Sequence, residues 1–361
     1  TNSQIGGRRN IIINGAMQCS QRSTSETGKG ADAGYFTVDR MYYFENGTTD
    51  VRFTQSQSTD VPTGEGFAKS LKFDCTTADA SLAVDNQLTL KYRIEGQDIQ
   101  QLKWGTSSAE KITLSFYIKS TKTGTFIVEL SRESRKISQA YTVSSSDTWE
   151  KKTLTFDGDT GGSVITNDSS NRLEINFYMG VGTNYSSGTL DTAWTGGTNA
   201  NRAVGQVNAF DSTSNNILFT GIQLEVGSQA TPFEHRSFAE ELALCRRYCY
   251  VINGDLSESA GSTWATGHMR AGNAAYCHLY FPVPMRTYPT SVTVSDVADF
   301  QIVTYGISNN PCTTIAIQEA NERAVLLNLV VSDSSFTIGD GAVFTISDLT
   351  NGQIIFEGAE L

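Results

Sequence analysis

The sequence predicts an all-β protein: an N-terminal jelly-roll β-sandwich, a short linking helix and a small C-terminal β-sandwich. Three observations predict it. From about residue 35 to 227, apolar residues recur with a period of two in runs such as SLKFDC, QLTLKYRIEG and KITLSFYIKS, the pattern of antiparallel strands with one dry and one wet face. Turn-rich stretches such as DGDTGG and TNYSSGTLDTAWTGGTNANRA separate these runs. Near residue 237 the period changes to that of a helix, and strand signals then resume with a different composition.

Residues 1–34 form an N-terminal segment, expected to serve attachment or inter-subunit contact. The jelly roll is expected over 35–236. Its dry-face sets are Leu71, Phe73 and Cys75, then Leu88, Leu90, Tyr92 and Ile94, then Ile112, Leu114, Phe116 and Ile118. TFIVEL, KKTLTF, RLEINFYMG and ILFTGIQLEVG follow the same rule, about eight strands in all, as a two-sheet jelly roll needs. In GIQLEVGSQATPFEHRS, Ile222, Leu224 and Val226 alternate with Gln223 and Glu225 until Pro232, the first proline since Pro62, ends the strand. Ser237 then reads as an N-cap with Glu240 as its reciprocal partner. Phe238, Leu242, Cys245 and Cys249 lie at helical spacing over about three turns within 237–250. Residues 251–361 return to strand patterns in YCHLYFPVPM, SVTVSDV, AVLLNLVV and GQIIFEGAEL and hold four of the six prolines. A small sandwich is the economical reading.

Composition excludes several classes. The formal charge is -11, from 38 acidic and 27 basic residues. Nucleic-acid binding draws its affinity from Lys and Arg neutralising phosphates, and anionic membranes need the same cations. No run approaches the roughly 20 apolar residues of a membrane span, and Ile11–Ile13 is too short for a signal-peptide core, so assembly in a cytoplasm is expected. Six thinly spread cysteines show no disulfide rhythm. Cys245 and Cys249 read as small apolar residues, and the sequons at Asn46, Asn167 and Asn184 as chance.

Catalytic motifs are absent. The three histidines, His235, His268 and His278, are isolated, and His235 reads as a structural residue of the Pro-Phe corner. Gly28-Lys29-Gly30 lacks the strand-to-helix context of a phosphate loop. Acidic residues are too numerous for sequence to select a glycosidase pair, and no internal repeat is visible. No enzyme and no organic cofactor is expected. A structural calcium has one weak candidate site, Asp157, Asp159 and Asp168. That loop lacks flanking helices and has Gly161 where a ligand would stand, and an exposed turn is the competing reading.

Sugar recognition has better candidates. Sugars offer apolar C–H faces to aromatic rings and hydroxyls to amides and carboxylates. If the apolar sets point inward, Ser115 and Tyr117 point outward on one strand, and Glu174, Asn176 and Tyr178 on another. Phe219, Gln223 and Glu225 form the outward set of the LEVG strand. Tyr185 and Trp194 sit in a Gly-, Thr- and Asn-rich loop, where recognition residues often lie. Subunit interfaces are enriched in the same rings, and both readings stand. Trp104 and Trp149 precede strands and read as core or rim packing.

Four stretches resemble bacteriophage virion proteins, above all tail-fibre and receptor-binding proteins of tailed phages. They are RNIIINGAMQCSQR, YFTVDRMYY, VGQVNAFDSTSNNILFTGIQLEVGSQATPFEHRSFAEELALCRRYCYV and FPVPMRTYPTSVTVS. IEGQDIQQLKWGTSSAEKITLSFYIKS with DTWEKKTLTF also resembles that family's carbohydrate-binding-module-like jelly roll. The resemblance covers most of the chain, is most specific from Val204 to Tyr250 and is weak over the last stretch. Cys19 departs from the family's usual aliphatic residue. Met41-Tyr42-Tyr43 follows Asp39-Arg40 where a Trp is more usual. The resemblance implies a non-enzymatic homotrimer on the virion, at a tail fibre or tail tip, contacting other virion proteins and binding a host surface glycan for host attachment. A capsid decoration or fibre spacer is the first alternative, a glycan depolymerase the second.

Overall fold

The computed structural model describes residues 8–253, 263–304 and 307–361. The parts of the N-terminal and C-terminal expectations that fall on 1–7, 254–262 and 305–306 lie outside the described residues. The chain divides into two compact units, one reaching to Glu241 and taking in Leu361, the other Leu242–Glu360.

The first unit is built of β1 (Ser25–Lys29), β2 (Tyr42–Asn46), β3 (Arg52–Ser58), β4 (Ser70–Thr77), β5 (Gln87–Glu95), β6 (Ile112–Ser120), β7 (Gly124–Arg132), β8 (Arg135–Val143), β9 (Glu150–Phe156), β10 (Asn171–Val181) and β11 (Asn216–Val226). They form a six-stranded sheet, β1-β3-β4-β11-β6-β9, and a five-stranded sheet, β2-β5-β10-β7-β8. Of the successive strands, β3 and β4 share a sheet, as do β7 and β8. Every other connection crosses between sheets, as in a jelly roll. Between the sheets the expected apolar sets meet: Phe116 lies 5.2 Å from Phe177 and Phe177 5.5 Å from Phe219, ring centre to ring centre.

Two features depart from simple alternation. The outward faces of the central strands are not wet: Ser115, Tyr117, Asn176, Tyr178, Gln223 and Glu225 are all buried. Aperiodic segments lie over them, and periodicity within a strand carries no information about what a distant loop covers. Phe219 also points into the core instead of outward. The β11–β6 register shifts between Thr220 and Gln223, where Gly221 has φ 61°. This bulge reverses the phase of the strand, so Ile217 and Phe219 share the core with Ile222 and Leu224.

The N-terminal stretch explains the bulge's surroundings. β4 pairs with β11 from Asn216 to Phe219. Beyond that, Ile11 N donates to Leu224 O (3.0 Å) and Ile222 N to Gly15 O (2.9 Å), so RNIIING continues the sheet. Asn10 doubles the contact, donating to Ile222 O (3.1 Å) and accepting from Leu224 N (3.1 Å).

The helix α1 (Phe238–Arg246) has nine residues and ends before 250, where Tyr250 already belongs to a strand, so it is shorter than the expected 237–250. Ser237 Oγ accepts from Glu240 N (3.3 Å), as an N-cap does. Glu241, rather than Glu240, reaches back into the chain, accepting from Asn14 N (2.6 Å). Cys245 and Cys249 are buried, whereas Phe238 is exposed.

The second unit contains β12 (Tyr250–Asn253), β13 (Thr263–Ala271), β14 (Ala274–Tyr280), β15 (Ser291–Val294), β16 (Phe300–Thr304), β17 (Ile307–Ala320), β18 (Ala324–Val331), β19 (Gly341–Ile346) and β20 (Gln353–Glu357). It is all-β, as expected, but closed. Six strands form a barrel, β13-β14-β18-β17-β16-β19, beside a three-stranded sheet, β12-β20-β15. The length of β17 lets it pair with both β16 and β18, and closure leaves those six strands no open edge. Met269, Leu327, Phe300 and Phe344 fill the interior.

Candidate functional site

The outward face of the five-stranded sheet collects a dense set of polar and aromatic side chains. Strand alternation and register place them in rows. Tyr42 lies opposite Lys91, Lys91 opposite Asn176, and Asn176 opposite Glu129. In the next row Arg93 lies opposite Glu174 and Glu174 opposite Ser131. Glu174 links the two rows, taking Lys91 Nζ on Oε1 and Arg93 Nε on Oε2, both at 2.9 Å. Each cation also covers a ring: Lys91 Nζ is 3.7 Å from the centre of Phe44, and the Arg93 guanidinium 4.2 Å from that of Tyr42. Tyr35 packs on Tyr42 at 4.9 Å. The Leu361 carbonyl borders the row and accepts from Tyr35 Oη and Arg93 Nη1.

Burial works to raise the Glu174 carboxyl, but the charges and hydrogen bonds of Lys91 and Arg93 outweigh it and hold it below the usual carboxylate range. Burial wins at Lys91, which is lowered despite Glu174. The asymmetry follows from the count: Glu174 has two cations, whereas Lys91 has one carboxylate and stands beside Arg93.

A second centre adjoins the first. Arg202, from the loop after β10, forks onto Glu129 with Nε–Oε2 and Nη2–Oε1 distances of 2.8 Å. Its guanidinium stands 6.0 Å from the ring centre of Tyr178 and 5.6 Å from that of Tyr185. Burial first, then the charge of Glu129, pushes the Tyr178 phenol well above its ordinary value. Tyr185 Oη accepts from Asn46 (3.0 Å). Asn176 Nδ2 lies 3.4 Å from both Glu129 Oε1 and Ser131 Oγ. The β10–β7 ladder ends at Glu174–Ser131. Where the strands part, a polar hollow of about 200 Å³ opens, bounded by Ser131, Glu133, Asn171 and Glu174 among others.

The structure thus brings three sequence candidates, Asn176, Tyr178 and Tyr185, around the Arg202–Glu129 pair. The other three lie elsewhere. Tyr117 is on the six-stranded sheet, edge-on to Phe67 (5.4 Å) and donating to Glu65 (2.6 Å). Gln223 holds the Pro-Phe corner, accepting from Glu234 N (2.8 Å). His235 is exposed at that corner, its ring against Phe67 and Phe233. Trp194 packs edge-on to buried Trp104 (5.2 Å) and donates to Asp157 O (2.7 Å). Its loop therefore does have core to join. Trp104 is wholly buried and Trp149 half-buried at the rim, donating to Asp60 (2.9 Å).

Sequence reasoning did not single out Tyr42, Phe44, Lys91, Arg93 or Arg202. Lys91 and Arg93 were readable from their alternation with Leu90, Tyr92 and Ile94. No local signal marks Arg202, whose place depends on how its loop folds back.

The calcium candidates do not converge on a shared centre. Buried Asp159 takes Arg132 Nη1 (3.1 Å) and Arg135 Nε (2.9 Å). Asp157 pairs with Lys111 (2.6 Å) and Asp168 with Arg172 (2.5 Å). The chain's own cations serve these carboxylates, and among the described residues no three His, Cys, Asp or Glu side chains form a metal-ligand group.

No protein-family model and no curated protein matches the sequence. Among solved structures, the enzymatically active domain of tailspike protein 4 of bacteriophage CBA120 is similar over 60% of this chain, at 15% identity and a TM-score of 0.32, and this chain spans 21% of that one. A candidate sugar-binding protein from Bacteroides thetaiotaomicron is similar over 60% of this chain and 100% of its own, also at 15% identity and 0.32. A family 11 carbohydrate-binding module from Clostridium thermocellum, in complex with a mixed-linked β-1,3-1,4 tetrasaccharide, is similar over 58% of this chain and 99% of its own, at 10% identity and 0.29.

Proposed function

We propose that this protein is a bacteriophage virion adhesin whose first unit binds a host surface polysaccharide without cleaving it. The observation that carries the binding role is the row Tyr42–Arg93–Glu174–Lys91–Phe44. It sets two half-buried rings, each with a cation against one face, beside donors and an acceptor held in place by ion pairs, so that a sugar would meet what these groups leave uncovered. Preorganised groups bind with less ordering cost. The virion role rests on the sequence motifs from RNIIINGAMQCSQR to FPVPMRTYPTSVTVS. The non-cleaving reading rests on Glu129 and Glu174, two carboxylates that arginine and lysine already occupy. Weak single-site binding would be multiplied by a trimer and by several copies on a particle.

A glycan array probed with the full chain, followed by Tyr42→Ala and Phe44→Ala, tests this reading. Binding to a host envelope polysaccharide that falls at least tenfold in both variants is expected. Undiminished binding in both variants would remove the site, and no binding to any host polysaccharide would remove the role. Release of reducing ends from the polysaccharide would replace it with depolymerisation. A decoration or spacer protein would instead bury this row against a neighbouring subunit, a use its internally paired charges also permit. Labelling intact particles with antibody separates the tail tip from the capsid.

A further inference from the structure

The second unit has a shallow, open hollow lined by Tyr288, Ala320, Asn321, Glu322 and Arg323. One wall is the tight turn between β17 and β18. Asn321 Oδ1 accepts from Arg323 N (2.8 Å) and Ala324 N (3.0 Å), which fixes the turn from inside.

Tyr288 comes from the segment FPVPMRTYP, with prolines at 282, 284 and 289. This segment is laced to the turn, Phe281 N donating to Arg323 O (2.9 Å) and Met285 N to Glu322 O (2.7 Å). Met285 is wholly buried beneath it. Those bonds use the turn's backbone carbonyls and leave the Glu322 and Arg323 side chains exposed. Tyr288 precedes a proline, which confines its backbone to extended conformations. It is 56% exposed, and Tyr280, opposite Ala324 at the end of β14, is 75% exposed. These are the two exposed tyrosines among the described residues.

A stiffened segment that presents a tyrosine ring to solvent, beside a carboxylate and a guanidinium on a fixed turn, has the composition of a sugar site. We propose that this surface binds a short neutral oligosaccharide. The C–H face of one sugar stacks on Tyr288, and its hydroxyls pair with Glu322 and Arg323. Glu322 and Arg323 together give the lining no net charge, so an ionic ligand meets no overall attraction. This site goes beyond the polysaccharide site of the first unit and does not require it. With both present, each chain would be bivalent, and avidity would rise without new contacts.

Saturation-transfer NMR on the full chain, with gluco-, galacto-, manno- and xylo-oligosaccharides as probes, tests the proposal. At least one probe is expected to bind, with affinity reduced at least tenfold in Tyr288→Ala and in Glu322→Ala, and largely kept in Tyr288→Phe, which retains the ring. Tyr42→Ala should leave this binding unchanged, so failure of the first-unit site is read separately. Because Tyr288 and Glu322 are exposed, the variants should melt with the wild type, which excludes loss by unfolding. Absence of binding by every probe, or binding undiminished in Tyr288→Ala, would overturn the proposal. Displacement by uronic acids in preference to neutral sugars would overturn it as well.

Discussion

Arg202 and Glu129 are joined by two parallel hydrogen bonds of 2.8 Å, with the Glu129 carboxylate fully buried beneath the loop that carries Arg202. Removing one partner of such a pair strands a buried charge, which typically costs about 3–5 kcal/mol. Arg202→Ala is expected to lower stability by that order, measured by urea denaturation, and to open 183–207 to limited proteolysis. Arg202→Lys should recover only part of the loss, because an ammonium cannot match both carboxylate oxygens in one plane.

Glu174 gives the first unit an acid sensitivity. Its folded-state pKa is depressed, because Lys91 and Arg93 outweigh the opposing effect of burial. Its contribution is therefore present above the ordinary carboxylate pKa of about 4.3 and is lost as pH falls through the lower folded value. Thermal melts of wild type and Glu174→Gln across pH 2–7 should show the variant less stable at neutral pH, with the gap narrowing below about pH 4. A gap independent of pH would sink this assignment.

Gly221 sits at φ 61°, and a β-carbon there would come within 2.6 Å of the Phe67 ring and 3.0 Å of Tyr117. Gly221→Ala is expected to cost about 1–3 kcal/mol, the usual price of a non-glycine residue forced into a sparsely populated backbone region. The denaturant midpoint should fall while the dependence on denaturant stays unchanged.

Trp194 is packed against the core. Its ring closes over Trp104 and its indole N–H is taken by Asp157 O. Trp194→Ala should destabilise by less than the about 3–5 kcal/mol of a fully buried aromatic, and it should leave glycan affinity unchanged. A loss of binding with an unaltered melting curve would return Trp194 to the binding surface.

The six cysteines are buried, with no disulfide among the described residues. Burial pushes the thiols of Cys277 and Cys312 up to about 12 and that of Cys75 up to about 11. The thiolate is the reactive form, so a disulfide reagent at pH 8 is expected to label these three in unfolded protein and leave them untouched in native protein.

What the sequence by itself determined is the set of strands and the apolar side of most of them. Leu71-Phe73-Cys75 and Ile112-Leu114-Phe116-Ile118 lie inside as their spacing requires, because a period of two is a local property of the chain. The capped start of α1 at Ser237 was legible for the same reason. Tertiary structure alone decided the rest. It turned Phe219 inward through a bulge that only the pairing with β6 reveals, and closed six strands of the second unit into a barrel. It also laid RNIIING along β11 and brought Arg202 onto Glu129 from 73 residues away. Each of these depends on contacts between distant segments, and aperiodic loops carry no local pattern that says which surface they will cover.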